Sequence, residues 1–332
     1  MNAPTSPPDG HTSEPLAAMI FAWLRDQENR RSQEVRRKRR WRNVRSVFLV
    51  LSLLAGPLLL ASLGSSAESP KVGPDYVALV RVNGVIAADN PANGVRIGQA
   101  LERAFNDQQA KGVVLAINSP GGSPVQAAMI RDRLVMLREA HPDTKVWAVG
   151  EDMLTSGAYF IAMGAPNVCV NRSTVTGSIG VIQDSWGLDK AIDKLGIERR
   201  VFTAGAAKNR MDMFRPLTEE DRRHTRAMLD AIHEHFKEVV RSGRGQRLKR
   251  PEAELFTGDY WTGDVALEYG LVDRLCNLQD VLVEEFHVPD AKDYTPRPTM
   301  YEALSSAIGM QVRTSLGNNF GSYSAPQLLP NP

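Results

Sequence analysis

Cysteine is almost absent from this chain, with two in 332 residues, Cys169 and Cys276. Each stands among apolar neighbours (Asn167-Val168-Cys169-Val170 and Leu275-Cys276), so the sequence reads as two buried free thiols rather than a disulfide framework or a metal site. Histidine is nearly as scarce, with six residues. His11 lies in the N-terminal tail, His141 in a turn flanked by proline, and His224, His233, His235 and His287 in or near exposed amphipathic helices. His233 and His235 are two apart on a helix and diverge, which excludes a helical metal pair. No metal and no other cofactor is expected. A net charge of +2 and the absence of any internal repeat set no further limit, and 42% hydrophobic with 23% charged residues is ordinary for a globular protein.

The small net charge hides an uneven distribution. Between Arg30 and Arg45 nine basic residues face a single Glu34. Directly after them, Ser46 to Gly64 runs for 19 residues without a charge, close to the length that spans the roughly 30 Å hydrocarbon layer of a bilayer at about 1.5 Å per residue. This predicts one transmembrane anchor at 46–64, contacting membrane lipid, with a basic tail at 1–45 held in the cytoplasm and the rest of the chain sent across the membrane. Ser65-Ser66-Ala67 resembles a signal-peptide processing site, but the preceding basic region and apolar run are both too long for that pattern. The adjoining apolar run explains the arginines without nucleic acid, so no nucleic-acid partner is expected.

Residues 65–75 are rich in Ser, Pro and Gly and read as a linker. Strand-length apolar runs then alternate with helix-length amphipathic stretches: strand 76–82, helix 95–109, strand 112–118, helix 124–140, strand 145–149, a helix opening at Ser156, strand 168–170, a helix near 188–195 and strand 198–203. That alternation predicts an α/β fold with a largely parallel sheet. A long helix follows from about Thr218 to Ser242, opened by a capping box of Thr218 with Asp221. The folded domain is expected over 76–288, with a Pro-, Ser- and Gly-rich tail over 289–332 that holds one short helical stretch at 300–310.

Three loops follow strand ends, where open α/β sheets place their sites. In Asn118-Ser119-Pro120-Gly121-Gly122 the paired glycines let backbone amides approach a ligand, although the same residues also make a plain turn. In Leu154-Thr155-Ser156-Gly157-Ala158-Tyr159 a serine opens a helix, where it serves either as a nucleophile beside a free amide or simply as an N-cap. In Thr203-Ala204-Gly205-Ala206-Ala207-Lys208 a lysine ends a run of small residues, and most such lysines are surface charges.

Taken together and in order, these loops resemble the signal peptide peptidase A family in its short form, and also its SohB-type proteases. The match includes Thr176-Gly177-Ser178-Ile179-Gly180-Val181, Gly205 to Lys208, Thr257-Gly258 and Gly270-Leu271-Val272-Asp273, and extends over about residues 76–276. The resemblance implies the ClpP/crotonase-like fold of repeated β-β-α units and a serine endopeptidase working with a Ser-Lys dyad. Ser156 would be the nucleophile, Lys208 its base 52 residues on, and Ser178 the residue orienting Lys208. The amides of Gly122 and Gly157, with Gly121 beside them, would form the oxyanion hole. It further implies a homo-oligomer acting on peptides such as signal-peptide remnants at the outer face of the plasma membrane. Ala206-Ala207 and Asn209 depart from residues common in the family around the lysine.

An ordinary lysine is only about 0.04% neutral at pH 7, so a lysine base requires desolvation that lowers its pKa by roughly 3 units, or about 4 kcal/mol. Gly205, Ala206, Ala207, Met211 and Phe214 suit such a pocket. A Ser-His-Asp triad is the weaker mechanism, given where the histidines fall. A crotonase-like enzyme acting on acyl-CoA would share the fold and the glycines but need neither Lys208 nor an anchor, and a membrane scaffold with an inactive fold is the third reading.

Overall fold

A computed structural model describes residues 73–296; the expected cytoplasmic tail, anchor and most of the linker and C-terminal tail lie outside them. Among the described residues no helix is long and apolar enough to cross a membrane. The elements run β1 (Tyr76–Asn83), α1 (Gly94–Phe105), β2 (Ala110–Ser119), α2 (Pro124–Ala140), β3 (Val146–Thr155), α3 (Gly157–Ala162), β4 (Asn167–Val170) and β5 (Val175–Gly177). Next come α4 (Asp189–Lys194), α5 (Glu219–Arg244), α6 (Glu252–Leu255), β6 (Tyr260–Thr262), α7 (Gly263–Glu268), β7 (Arg274–Leu275), α8 (Leu278–Glu285) and β8 (Ala291–Asp293).

The strands form one sheet in the order β6-β5-β3-β2-β1-β8, with β4 beside the first part of β3 and β7 beyond it. All pairings are parallel except β5 with β6. The reason lies in the strand composition. Along β1, Ala78, Val80 and Val82 pack into one apolar cluster while Val77 and Leu79 pack into another on the opposite face. A strand buried on both sides reads as an unbroken apolar run, which is the mark of a parallel sheet covered by helices. The first face is covered by α1, α2, α3 and the C-terminal part of α5, through residues such as Leu101, Leu134, Ile161 and Val240. The second is covered by α8 with Val281, Leu282 and Phe286.

Helix starts follow local chemistry. Asn93 caps α1 through its side chain onto the Arg96 amide at 2.9 Å, and Ser123 caps α2 with Pro124 in the first turn. The expected capping box of Thr218 and Asp221 is present at α5, and Arg215 adds an ion pair to Asp221 at 2.6 Å.

Three expectations change. The run 198–203 forms no strand and lies exposed, because no sheet edge is beside it to pair with and a lone strand leaves its amides to water. Cys169 and Cys276 are joined in a disulfide with Cα atoms 5.7 Å apart. The pairing of β4 with β7 sets Cys169 opposite Arg274, two residues before Cys276, and Cys276 then donates its amide to Val170; the sequence placed both residues in apolar surroundings without showing that they share them. The fold also runs past Val288, since β8 pairs with β1 and the Tyr76 hydroxyl and Lys292 both donate to Asp107, at 2.7 and 3.0 Å.

Candidate active site

Midway along β3 the sheet changes partner: Trp147 to Gly150 pair with β4, whereas Met153 to Thr155 pair with β5. The chain therefore arrives at Ser156 on a strand flanked by β2 and β5 and turns at once into α3. Ser156 makes that turn with φ 54° and ψ −124°, a left-handed conformation costly for a residue with a Cβ. Ser156 stands at the N-cap position of α3, but its hydroxyl makes no capping hydrogen bond. The elbow is over-determined: the Ser156 amide donates to Gly177 at 2.8 Å, Phe160 returns an amide to the Ser156 carbonyl at 3.0 Å, and all six residues of α3 are buried. Tyr159 fixes the helix from below by donating its hydroxyl to the Leu271 carbonyl at 2.7 Å. Burial pushes the Tyr159 phenol pKa well up, keeping it a neutral donor.

The glycine loop after β2 meets this elbow. Gly121 and Gly122 have φ of 95° and 146°, which glycine alone adopts freely. A Cβ on Gly121 would lie 2.7 Å from both the Gly157 amide nitrogen and the Ser156 Cβ, and one on Gly122 would collide with the Ile86 carbonyl. Ile86 holds the loop from both sides, donating its amide to Gly121 at 2.9 Å and accepting from Ser123 at 2.8 Å. Gly122 is left between those bonds with its own N–H unspent, and Gly157, the first helical residue of α3, has no intrahelical acceptor. A Cβ placed on Gly157 would be 3.3 Å from the Gly122 nitrogen, so the two amides are close neighbours beside Ser156.

Ser156, Gly122 and Gly157 line a cavity of about 230 Å³ whose walls include Phe160, Val181, Ile182, Ile232, His235 and Phe236. Three of these come from α5, and His235 packs its ring edge-on against Phe160 at 5.5 Å. His235 is exposed, as the sequence reading placed it, and still borders the cavity; that reading did not name Ile232 or Phe236. The spacing 232, 235, 236, 239 is one face of a helix, and that period was the available signal. Ile86 had no such signal, since its part is played by its backbone.

Ser178 has φ 53°, and its amide donates to the Asp259 carbonyl at 2.7 Å. Its neighbours Gly180, Val181 and Ile182 line the Ser156 cavity. Lys208 is elsewhere. It is exposed and lines a separate, open cavity of about 710 Å³ with Trp186, Arg199, Met211 and Phe214. The fold thus brings Ser156, Gly121, Gly122, Gly157 and the Ser178 loop together and leaves Lys208 apart. Among the described residues no group of His, Cys, Asp or Glu is arranged to hold a metal ion.

The Gly270-Leu271-Val272-Asp273 motif is structural. Asp273 accepts from Arg244 at 2.8 Å and Arg247 at 2.9 Å, and from the Val168 amide at 2.8 Å. Burial pushes the Asp273 carboxyl up, but the two guanidiniums and the amide outweigh it and hold the group below the usual carboxylate range.

A largely parallel α/β domain with a serine on a strained strand-to-helix elbow and two free amides beside it has the layout of an acyl-transfer site. Comparison with known proteins gives the particular family. The model of peptidase family S49 matches residues 139–286. The putative protease slr0021 of Synechocystis is 31% identical over 204 residues, covering 61% of this chain and 71% of that protein. A putative signal peptide peptidase SppA of Enterococcus faecium is 28% identical over 214 residues, covering 62% of this chain and 61% of that protein. A Brucella abortus protein named as a Na(+)/H(+) antiporter NhaA is 36% identical over 211 residues, and there the match spans 28% of its length. The chain belongs to peptidase family S49.

Proposed function

We propose that this chain is a membrane-anchored serine endopeptidase in which Ser156 is the nucleophile and Lys208 of a second copy of the chain is the base. The observation that carries the reading is the elbow. Ser156 is held at a costly φ of 54° with its hydroxyl uncommitted, beside the Gly122 and Gly157 amides, and strain of this kind persists where the surroundings impose it.

In this reading the neutral Lys208 amine takes the Ser156 hydroxyl proton as Oγ bonds to the scissile carbonyl carbon. The carbonyl oxygen becomes an oxyanion and accepts from the Gly122 and Gly157 amides, a donor pair of the kind whose members are each worth about 10²- to 10³-fold in rate. The lysine ammonium returns its proton to the departing amine, and water then releases the acyl group by the same steps in reverse. Ser178 orients the lysine. The apolar cavity beside Ser156 suits a small or medium apolar side chain next to the cut bond, as signal-peptide remnants carry.

Supply of the lysine by a neighbour accords with the surface between Ile182 and Leu217. That segment exposes Ile182 (87%), Trp186 (75%), Leu195 (71%) and Phe202 (93%), and apolar surface on this scale marks an interaction site. A homo-oligomer covers it and desolvates Lys208 in one step. The segment 46–64 anchors the assembly, with the domain on the extracytoplasmic side.

Labelling with a fluorophosphonate serine probe tests the reading in the full-length protein in detergent. Wild type is expected to label, and Ser156→Ala and Lys208→Ala are not; equal labelling of all three defeats the proposal.

A further inference from the structure

We infer that His233 is a positioning residue that holds the Ser178 loop in its working shape before the site is complete. The inference rests on the reading of Ser156 and Ser178 above and concerns how that site is kept ready.

Residues 177–182 connect the nucleophile strand's neighbour β5 to the cavity wall. They do so through two consecutive left-handed positions, Gly177 at φ 107° and Ser178 at φ 53°. Serine does not hold such a conformation by its own preference. The loop's internal bond is a tight one, the Gly180 amide donating back to the Ser178 carbonyl at 3.0 Å. Beyond the strand ladders, three bonds tie it to other segments. The Gly177 carbonyl accepts from Ser156, the Ser178 amide donates to Asp259, and the Ile179 carbonyl accepts from His233 Nε2 at 3.1 Å.

The first two belong to the sheet. The third alone comes from α5, the helix that also supplies Ile232, His235 and Phe236 to the Ser156 cavity. His233 therefore ties the cavity's helical wall to its loop wall at the residue after Ser178. Ile179 is wholly buried, so its carbonyl has little access to a replacement water. To donate there His233 must carry its proton on Nε2.

This arrangement has a purpose in a chain whose lysine lies in another cavity. If Lys208 arrives only on assembly, the hydroxyl that receives it has to be in place beforehand, or ordering the loop is added to the cost of the reaction. The His233 contact supplies that ordering within one chain.

The test compares His233→Gln, which keeps a donor of similar reach, with His233→Phe, which keeps the bulk and loses the donor. All measurements use the full-length protein in detergent, a fluorogenic peptide and a thermal melt. His233→Phe is expected to lower kcat about 10-fold with KM changed less than about twofold, and His233→Gln to recover to within about threefold of wild type. The melting temperatures should agree within about 4 °C, which separates positioning from loss of fold. Wild-type kcat in His233→Phe, or a His233→Gln as slow as His233→Phe, overturns the inference. Ser156→Ala tells the two levels apart. Hydrolysis that persists in Ser156→Ala overturns this inference and the proposed function together, whereas a silent Ser156→Ala beside an unaffected His233→Phe overturns this inference alone.

Discussion

Ser156 and Lys208 occupy two very different parts of the molecule. Around Ser156 everything is fixed: α3 is wholly buried, Gly121 and Gly122 are pinned by Ile86, and the elbow is bonded to β5. Around Lys208 little is. The helix α4 has no buried residue, the run 198–207 is exposed, and Phe202 is 93% accessible. In the proposed mechanism the part that meets a transition state is the one built into the core, where preorganisation is retained at no cost during the reaction. The half that must lose water is left on a segment with apolar surface still to cover. A proton acceptor of this kind is better completed by assembly than by folding, since burying a lone lysine within one chain would charge its full desolvation against stability.

The sharpest way to break this contrast is at the elbow. Ser156→Gly should abolish peptide hydrolysis, a loss of at least about 10³-fold, while raising stability by about 1 kcal/mol, because glycine takes φ 54° without strain. Urea unfolding reads the second effect, and a destabilised variant would show that the elbow is not strained. On the other side, Ser156→Ala and Lys208→Ala should each be silent alone. Dissociated, mixed in equal amounts and reassembled, they should regain about a quarter of wild-type activity, since each working site needs one chain of each kind. No recovery would place both groups of a dyad in one chain.

Smaller effects probe regions away from the site. Replacing Cys169 and Cys276 together by Ala should cost about 2–4 kcal/mol by freeing a loop of 107 residues in the unfolded chain, with kcat unchanged. A matching loss of kcat would mean that the β4–β7 edge is coupled to the elbow. The smallest effect is one of pH. Asp273 has a folded pKa below its ordinary value, so its contribution is complete above about pH 4 and is lost as pH falls through the folded pKa. The urea midpoint should hold steady from pH 7 to 5 and fall below about pH 4; a midpoint unchanged down to pH 2.5 would remove Asp273 from the account.

Much of this was legible in the sequence, and what was not has physical causes. The strands β1 and β2 and the helix α2 stand where the apolar pattern sets them, because both faces of the sheet and one face of the helix must be buried. That the loops of Gly121-Gly122 and Ser156-Gly157 sit at strand ends was legible, whereas each loop alone also read as a plain turn or a cap, and it was the order of all the motifs together that singled these residues out. The run 198–203 was misread because a strand's existence depends on a partner that its own residues do not specify. The disulfide was missed for the same reason: pairing is a property of β4 meeting β7, 107 residues apart in sequence. Ile86 and His233 contribute through a backbone carbonyl or contact one, and residue type carries no trace of that.

The bond between Cys169 and Cys276 also turns the domain into a record of its own history. Such a link forms where the surroundings are oxidising, and here one partner is wholly buried and the other nearly so, shielded from later exchange. The thiol content of protein drawn from intact cells, trapped with an alkylating agent before lysis, therefore reports on whether each molecule folded in reducing or in oxidising surroundings.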